Sequence, residues 1–238
     1  MMQVHELPRR ERTKATLRAE GERMRRDDSL PSVALVHLSA GDKLYGEGEQ
    51  AVAPFSVVEG VLRVSVALID GRERLVDIVG PGDVVGTAAL EATRHAESVV
   101  AAEGGATVSK LDLAGTLARG ASRQRLASAL VKQLVRSREL ADDLGLPMGA
   151  RICRILARLA TRLGESLDDN ADGAAWRHLP FSLTHDDVAL LAGCARVTAT
   201  RVMGDLKDAG VLDGSRGDYA LVPDALLAAA DEYVCDVI

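Results

Sequence analysis

The chain has 238 residues, of which 47% are hydrophobic and only 3% aromatic, and its formal net charge is −6. That length suits one large domain or two modest ones, with cores built from Val, Leu, Ile and Ala. The acidic balance excludes a surface that grips phosphates everywhere, so a nucleic-acid contact has to be a local patch.

Residues 1–30 form a charged extension. Between Arg9 and Asp28 stand eight Lys or Arg and five Asp or Glu, with few apolar residues. The pattern predicts a solvated helix or a mobile arm, with contact to DNA as an alternative role. This stretch has no signal-peptide h-region, and no apolar run approaches the ~20 residues of a membrane span, so a cytoplasmic protein with no membrane partner is predicted.

Between Val33 and Leu113 short β-type runs are cut by glycine turns, among them YGEGE from Tyr45, IDGRE from Ile69 and GPGD from Gly80. Alternation in LRVSVAL and the Asp70-Gly71 dipeptide predict an antiparallel roll or barrel over residues 31–120. A long helix is expected within residues 121–146. From Arg123 to Gly145, Leu126, Leu130, Leu134 and Ala141 recur at spacings of four, four and seven with no Gly or Pro between them. That stripe is longer than a small roll can cover, so these four residues are the expected seam of a homodimer.

Residues 147–238 read as a third unit. A helix restarts after Pro147 with Ile152, Ile155, Leu156, Leu159 and Leu163 on one face, and GESLDDNADGAAW is expected to be a loop. Thr184 and Asp187 stand as a capping box before Val188 and Leu191, Gly193 breaks that helix, and another begins at Arg196. Its Ala199, Val202, Met203 and Leu206 fall at i, i+3, i+4 and i+7 and form a core face. The opposite face offers Arg196, Val197, Thr198, Thr200 and Arg201 to a DNA major groove. Two short strands around the turn Gly214 to Gly217 complete a winged helix-turn-helix, with Thr184, Ser215 and Arg216 as further candidate DNA contacts. Cys153, Cys194 and Cys235 show neither disulfide nor zinc spacing and are expected to be buried or inert thiols.

The ordered set is similar to the family of bacterial transcription regulators that includes the cAMP receptor protein and the oxygen sensor FNR. The marks are EGVLRV from Glu59, GPGDVVG from Gly80 to Gly86, the long helix, and LTHDDVALLAGCARVTATRVMGDLKDAGVL from Leu183. The resemblance runs from about Val33 to Val222. It implies an α+β chain with an N-terminal cyclic-nucleotide-binding-type β-roll, a long dimerisation helix and a C-terminal winged helix-turn-helix. The implied partners are a second copy, double-stranded DNA with an inverted-repeat site, and RNA polymerase.

Departures from the family bear on the effector. The resemblance places a ligand pocket at Gly86, Thr87, Ala88, Ala96 and Glu97, with Ser137 and Arg138 contributed by the long helix. Thr87 stands where cAMP-binding members carry a Glu for the ribose, and Ala96-Glu97 stand where they carry an Arg-Ser pair for the phosphate. A carboxylate there repels a phosphate, and losing a bidentate Arg removes its strongest contact. Cyclic AMP in the usual way is therefore not expected, unless Arg94, two residues earlier, substitutes for the missing Arg. An FNR-type iron–sulfur cluster needs cysteines near the N-terminus, and none precedes Cys153. His37 and His95 are the roll's available haem ligands but read as surface or core histidines. No cofactor or metal is expected, and the small-molecule effector stays open.

In the recognition helix the family's Arg-Glu-Thr appears as Arg196-Val197-Thr198, with Arg201 retained, and Ala195 replaces a capping Ser. The expected function is a homodimeric, sequence-specific DNA-binding transcription regulator. The alternative is a ligand-binding regulatory module acting through protein partners with a degenerate helix-turn-helix, since residues 179–238 hold four Lys or Arg against ten Asp or Glu. No P-loop, G-x-S-x-G or H-E-x-x-H constellation is present, so no enzyme is expected.

Overall fold

The computed structural model describes residues 30–91, 93–167 and 175–235. The charged segment Arg9 to Asp28 lies outside them.

Six antiparallel strands form the roll: β1 (Ser32–Leu38), β2 (Lys43–Tyr45), β3 (Phe55–Ala67), β4 (Glu73–Val79), β5 (Val84–Val85) and β6 (Ser98–Leu111). The sheet runs β1-β6-β3-β4, with β2 paired to β6 and β5 to β3. β3 and β6 are long because the sheet curls along them, and breaks in their register at Val57/Glu59 and Gly60/Leu62 let it bend. At the bend the two backbones nearly touch: a Cβ on Gly60, whose φ is +76°, would meet the Gly105 carbonyl at 2.2 Å. Glycine is required there by space as well as by dihedral. Val57, Leu62, Val64, Val99 and Val108 fill the roll, an aliphatic core as the composition demands. The Asp70-Gly71 hairpin is present, closed by Leu68 N–H to Arg72 O at 2.7 Å.

A short helix, α1 (Leu113–Ala118), is capped by the Asp112 side chain and leads into α2 (Gly120–Asp143), which is 24 residues or about 36 Å long. Leu126 is buried at 4% exposure against Val84 and Leu111 of its own roll, with Leu130 packed beside it. The expected seam is corrected at this point: the first turns of α2 anchor it within the protomer, so Leu126 has no side chain left for a partner. Beyond them the apolar face turns to solvent, with Val131 59%, Leu134 69% and Val135 49% exposed, and Ala141 is exposed further along.

α3 (Met148–Leu163) buries Ile152, Ile155, Leu156 and Leu159 as its periodicity predicts, and Leu163 is half-buried. Within the stretch expected as a loop, β7 (Glu165–Ser166) is a strand and residues 168–174 lie outside the described residues; β8 (Arg177–His178) follows it, pairing with β7 and with the wing. These two-residue strands carry no alternation to read and exist because the wing offers an edge. α4 (His185–Ala192), α5 (Arg196–Asp208), β9 (Leu212–Ser215) and β10 (Asp218–Leu221) follow the predicted order. A further helix, α6 (Pro223–Cys235), has no counterpart in the sequence reading. It lies along α3, held by buried Leu226 and Ala230 and by Tyr233 over Gly149, where a Cβ would sit 2.4 Å from the ring.

The two halves share one apolar cluster: Val61, Leu75, Ile78 and Ala102 from the outer face of the roll join the core of α3, α4 and α5. A bidentate ion pair crosses the same junction. Arg63 of β3 donates to Asp187 of α4 from Nε at 2.8 Å and from Nη2 at 2.9 Å, and a further Nη2 bond reaches Ser182 O at 3.1 Å. Burial alone would raise the Asp187 carboxyl, but the bonds from Arg63 and Thr184 hold it below its ordinary value.

Asp187→Asn should lower stability at neutral pH by roughly 1.5–3 kcal/mol, the value of hydrogen bonds to a charged group. Because the folded-state carboxyl lies below its unfolded value, its contribution is complete above the ordinary carboxylate value near ~4 and is lost as pH falls through the folded value. Urea unfolding between about pH 7 and about pH 3 should show a smaller acid loss in the variant than in the parent. Equal losses would mean that this carboxylate is not held by Arg63.

Candidate nucleic-acid interface and sensor pocket

The helix-turn-helix begins at a capping box. Thr184 Oγ1 accepts from Asp187 N–H at 3.1 Å, while Asp187 Oδ2 accepts from Thr184 N–H at 2.9 Å and from its hydroxyl at 2.9 Å. The Thr184 hydroxyl, a predicted DNA contact, is thus engaged in the cap. Gly193 ends α4 in the left-handed region, at φ 69° and ψ 39°, and the chain reverses into α5. Ala195 supplies no side-chain cap to α5. Four side chains on one face of α5, Ala199, Val202, Met203 and Leu206, are buried, each at 2% exposure or less.

The opposite face is open. Val197 is 80% exposed, Arg196, Thr200 and Arg201 are exposed, and Thr198 is half-buried. Arg196 Nη1 lies 3.2 Å from Asp186 Oδ2, a solvated pair of small worth that a phosphate or base edge can displace. The sequence reading missed His185. Its ring bridges Thr200 Oγ1 at 2.9 Å and Tyr219 Oη at 3.0 Å, tying the start of α4 to α5 and the wing. Its only sequence signal was a polar residue in the first turn of α4. The wing turns at Arg216 (φ 56°) and Gly217 (φ 90°), the mirror-image geometry favoured in two-residue hairpins, and leaves Ser215 and Arg216 exposed at its tip.

In the roll, Gly86 is buried at φ +72°, and a Cβ there would meet the Ala53 carbonyl at 3.2 Å and the His95 and Tyr45 rings at 3.4 Å. Thr87 and Ala88 open a 3-10 turn, Thr87–Glu91. Over Gly86 the Tyr45 and His95 rings stack, centroids 3.6 Å apart and planes 10° from parallel. Tyr45 Oη donates to Glu97 Oε1 at 3.0 Å, so the carboxylate at the expected phosphate position serves a neighbouring phenol. Arg94 points elsewhere, its Nη1 donating to Gly48 O at 2.7 Å, and Ala96 is exposed. Ser137 bonds back to Gln133 O at 3.0 Å, and Arg138 is 83% exposed, so these two extend from α2 toward solvent. Burial raises the Tyr45 phenol, with help from Glu97, and lowers the His95 imidazole against the opposing charges of Glu97 and Glu49. Cys153 is buried, which pushes its thiol up to about 12, whereas Cys194 is half-buried and Cys235 exposed. Among the described residues no group of three or more His, Cys, Asp or Glu is placed to hold a metal, and no helix is long and apolar enough to cross a membrane.

Residues 35–115 match the cyclic nucleotide-binding domain, and residues 150–228 match the Crp-like helix-turn-helix domain. The chain belongs to the CRP/FNR family of transcription regulators. A CRP-like cAMP-activated global transcriptional regulator of Mycobacterium tuberculosis is 25% identical over 182 residues, covering 74% of this chain and 78% of the relative. The fold is that of a CRP-family transcriptional regulator from Thermus thermophilus, with a TM-score of 0.67, 24% identity and coverage of 84% of this chain and 98% of that one. It is also that of the c-di-GMP responsive regulator CLP of Xanthomonas campestris, with a TM-score of 0.62, 19% identity and coverage of 79% and 93%. Membership of the CRP/FNR family gives the helix-turn-helix DNA as its partner and gives the roll the architecture of a cyclic nucleotide-binding domain.

Within this CRP/FNR roll the ring stack makes a measurable claim. The His95 imidazole should titrate by NMR below the ordinary ~6.5, so the neutral ring's contribution to stability is complete above that value and lost as pH falls through the folded one. Glu97→Gln should lower the value further, because it removes a charge that supports the imidazolium. A value that stays or rises in the variant would place Glu97 away from the ring.

Proposed function

We propose that the chain acts as a homodimeric, sequence-specific DNA-binding transcription regulator in the cytoplasm that does not take cAMP in the usual way. The observation that carries this reading is the exposed first half of α5, where Arg196, Val197, Thr200 and Arg201 stand above a fully buried apolar face. Arg196 and Arg201 lie five residues apart, about 7.5 Å along the axis, so both reach one half-site. Each suits the O6 and N7 of a guanine, while Val197 between them suits a thymine methyl. Ser215 and Arg216 at the wing tip reach phosphates, and His185 holds Thr200 in position.

Two further observations support the rest of the proposal. Val131, Leu134 and Val135 expose an apolar face on α2 that a second copy of the same helix covers, which gives the two-fold symmetry an inverted repeat requires. In the roll, Glu97, one of the two residues that the resemblance sets against a cyclic phosphate, is a carboxylate bonded to the Tyr45 phenol beside the stacked His95 ring, which supports a roll that does not take cAMP in the usual way. RNA polymerase is the expected protein partner at a promoter. The surplus of carboxylates over Lys and Arg in residues 179–238 favours a second reading, a regulator that works through protein partners.

Selection from random DNA decides between them. The parent should enrich an inverted repeat with half-sites about one helical turn apart, and Val197→Glu should move one base pair toward cytosine while the flanking guanines persist. Arg201→Ala should relax one guanine instead. No enrichment at low salt would favour the second reading, and identical motifs from all three proteins would remove α5 as the reader.

The double variant Val131→Glu, Leu134→Glu puts carboxylates into the α2 seam and should sediment as a monomer at concentrations where the parent is a dimer. A variant that remains dimeric would move the interface off this helix.

A further inference from the structure

The open side of α5 carries a hydroxyl whose hydrogen is directed by residues of two other elements. Thr200 is exposed, and at ~100° per residue it lies roughly 60° round the helix from Val197, on the flank that meets His185 at the start of α4. Its Oγ1 stands 2.9 Å from His185 Nδ1, and among the described residues that ring nitrogen is its one hydrogen-bond partner. On the far side of the ring, Nε2 stands 3.0 Å from Tyr219 Oη of the wing, with the two rings 18° from parallel. The backbone of β10 is tied to the chain before α4, where Leu179 N–H donates to Tyr219 O and Leu183 N–H to Gly217 O, each at 2.9 Å.

Burial fixes the direction of this chain of bonds. Tyr219 is 4% exposed, and among the described residues its hydroxyl has His185 as its one hydrogen-bond partner. Burial also raises the phenol above its ordinary value, against a smaller opposing effect of the Gly217 backbone, so the phenol keeps its hydrogen. With a hydrogen on Nε2 as well, two donors would face each other and the buried O–H would have no acceptor, which is costly. In the neutral ring Nε2 therefore accepts from Tyr219, and Nδ1 carries the imidazole hydrogen and donates to Thr200 Oγ1. The Thr200 hydrogen is left to point away from the ring.

We infer that Thr200 donates this hydrogen to a phosphate oxygen of the DNA backbone, with His185 and Tyr219 as positioning residues that keep the hydroxyl a donor, a contact that rests on the DNA-binding reading of α5. A phosphate oxygen accepts and has no hydrogen to offer, which matches a hydroxyl whose own lone pair is already taken by an N–H. The flank position suits the DNA backbone, while Val197 and Arg201 stand nearer the middle of the open face, where base edges are met.

Long-range proton–nitrogen NMR of the full chain without DNA, at about pH 8 where imidazoles are mostly neutral, should find the His185 hydrogen on Nδ1 and none on Nε2. Tyr219→Phe keeps the ring and removes the bond to Nε2, so the Nε2 resonance should move downfield. With the DNA site that the parent selects, Thr200→Val should bind about tenfold more weakly, whereas Thr200→Ser keeps the hydroxyl and should bind as the parent does. Methylphosphonate placed at one phosphate at a time should reveal one position per half-site that costs the parent and Thr200→Ser about tenfold and costs Thr200→Val about threefold or less. His185→Phe leaves the hydroxyl present but unheld and should lose part of that sensitivity. A hydrogen on Nε2 in the parent, an Nε2 resonance indifferent to Tyr219→Phe, or full phosphate sensitivity in His185→Phe would overturn the positioning role. Equal losses in the parent and Thr200→Val at every phosphate would overturn the phosphate contact. A chain that selects no DNA would overturn the DNA-binding reading and the contact with it, a failure told apart from that of the positioning role because the ring nitrogens are read without DNA.

Discussion

The carboxylate of Asp187 does two jobs that are usually separate, and the arrangement of the chain depends on their coincidence. It closes the capping box that starts α4, and it receives the bidentate fork of Arg63 from the middle of β3. A cap fixes the direction of a helix, and a fork fixes the orientation of a guanidinium plane. Together they set the angle at which the helix-turn-helix leaves the roll. The shared apolar cluster of Val61, Leu75 and Ile78 with the core of α3 to α5 holds the two halves in contact, but such packing is less directional. The ion pair supplies the orientation.

A second consequence concerns where charge is placed. The protein is acidic overall, yet the junction between its halves is rich in arginine: Arg63, Arg136, Arg151, Arg154, Arg158 and Arg162 all make bonds there. Arg151 alone reaches the carbonyls of Leu144 and Ala192 at 2.7 Å and 2.8 Å, satisfying the chain on both sides of α3. Planar, always charged donors suit a boundary where carbonyls and carboxylates meet at low solvent access. With so many cations engaged inside, few remain to face DNA, which makes the exposed Arg196, Arg201 and Arg216 important to any electrostatic attraction by the C-terminal half.

The roll separates the residues that shape its backbone from those that line the space over Gly86. Its glycines, turns and pairing follow from backbone demands that a ligand does not impose. The pocket residues are free of those demands. Tyr45, His95 and Glu97 make a stacked, hydrogen-bonded group over Gly86, held by contacts between side chains. The same separation of scaffold from site explains why relatives described as cAMP-activated and c-di-GMP responsive share this fold with so little identity.

The order of the elements was legible in the sequence because it rests on local physics. Alternation and glycine turns marked the roll, a 3.6-residue period marked α2, α3 and α5, and the Thr184–Asp187 cap and Gly193 marked the turn between α4 and α5. What could not be read there depended on partners distant in the chain. Leu126 and Leu134 occupy equivalent places in one stripe, yet one is buried by Val84 and Leu111 and the other is 69% exposed, a difference that only the position of the roll decides. β7 and β8 are too short to carry a pattern, α6 is too rich in alanine to show a strong stripe, and His185 looked like any polar residue in a first helical turn. Asp187 was read as a cap and nothing more. Its second partner, Arg63, lies 124 residues away, and no periodicity relates residues that meet only when two separately folded surfaces are pressed together.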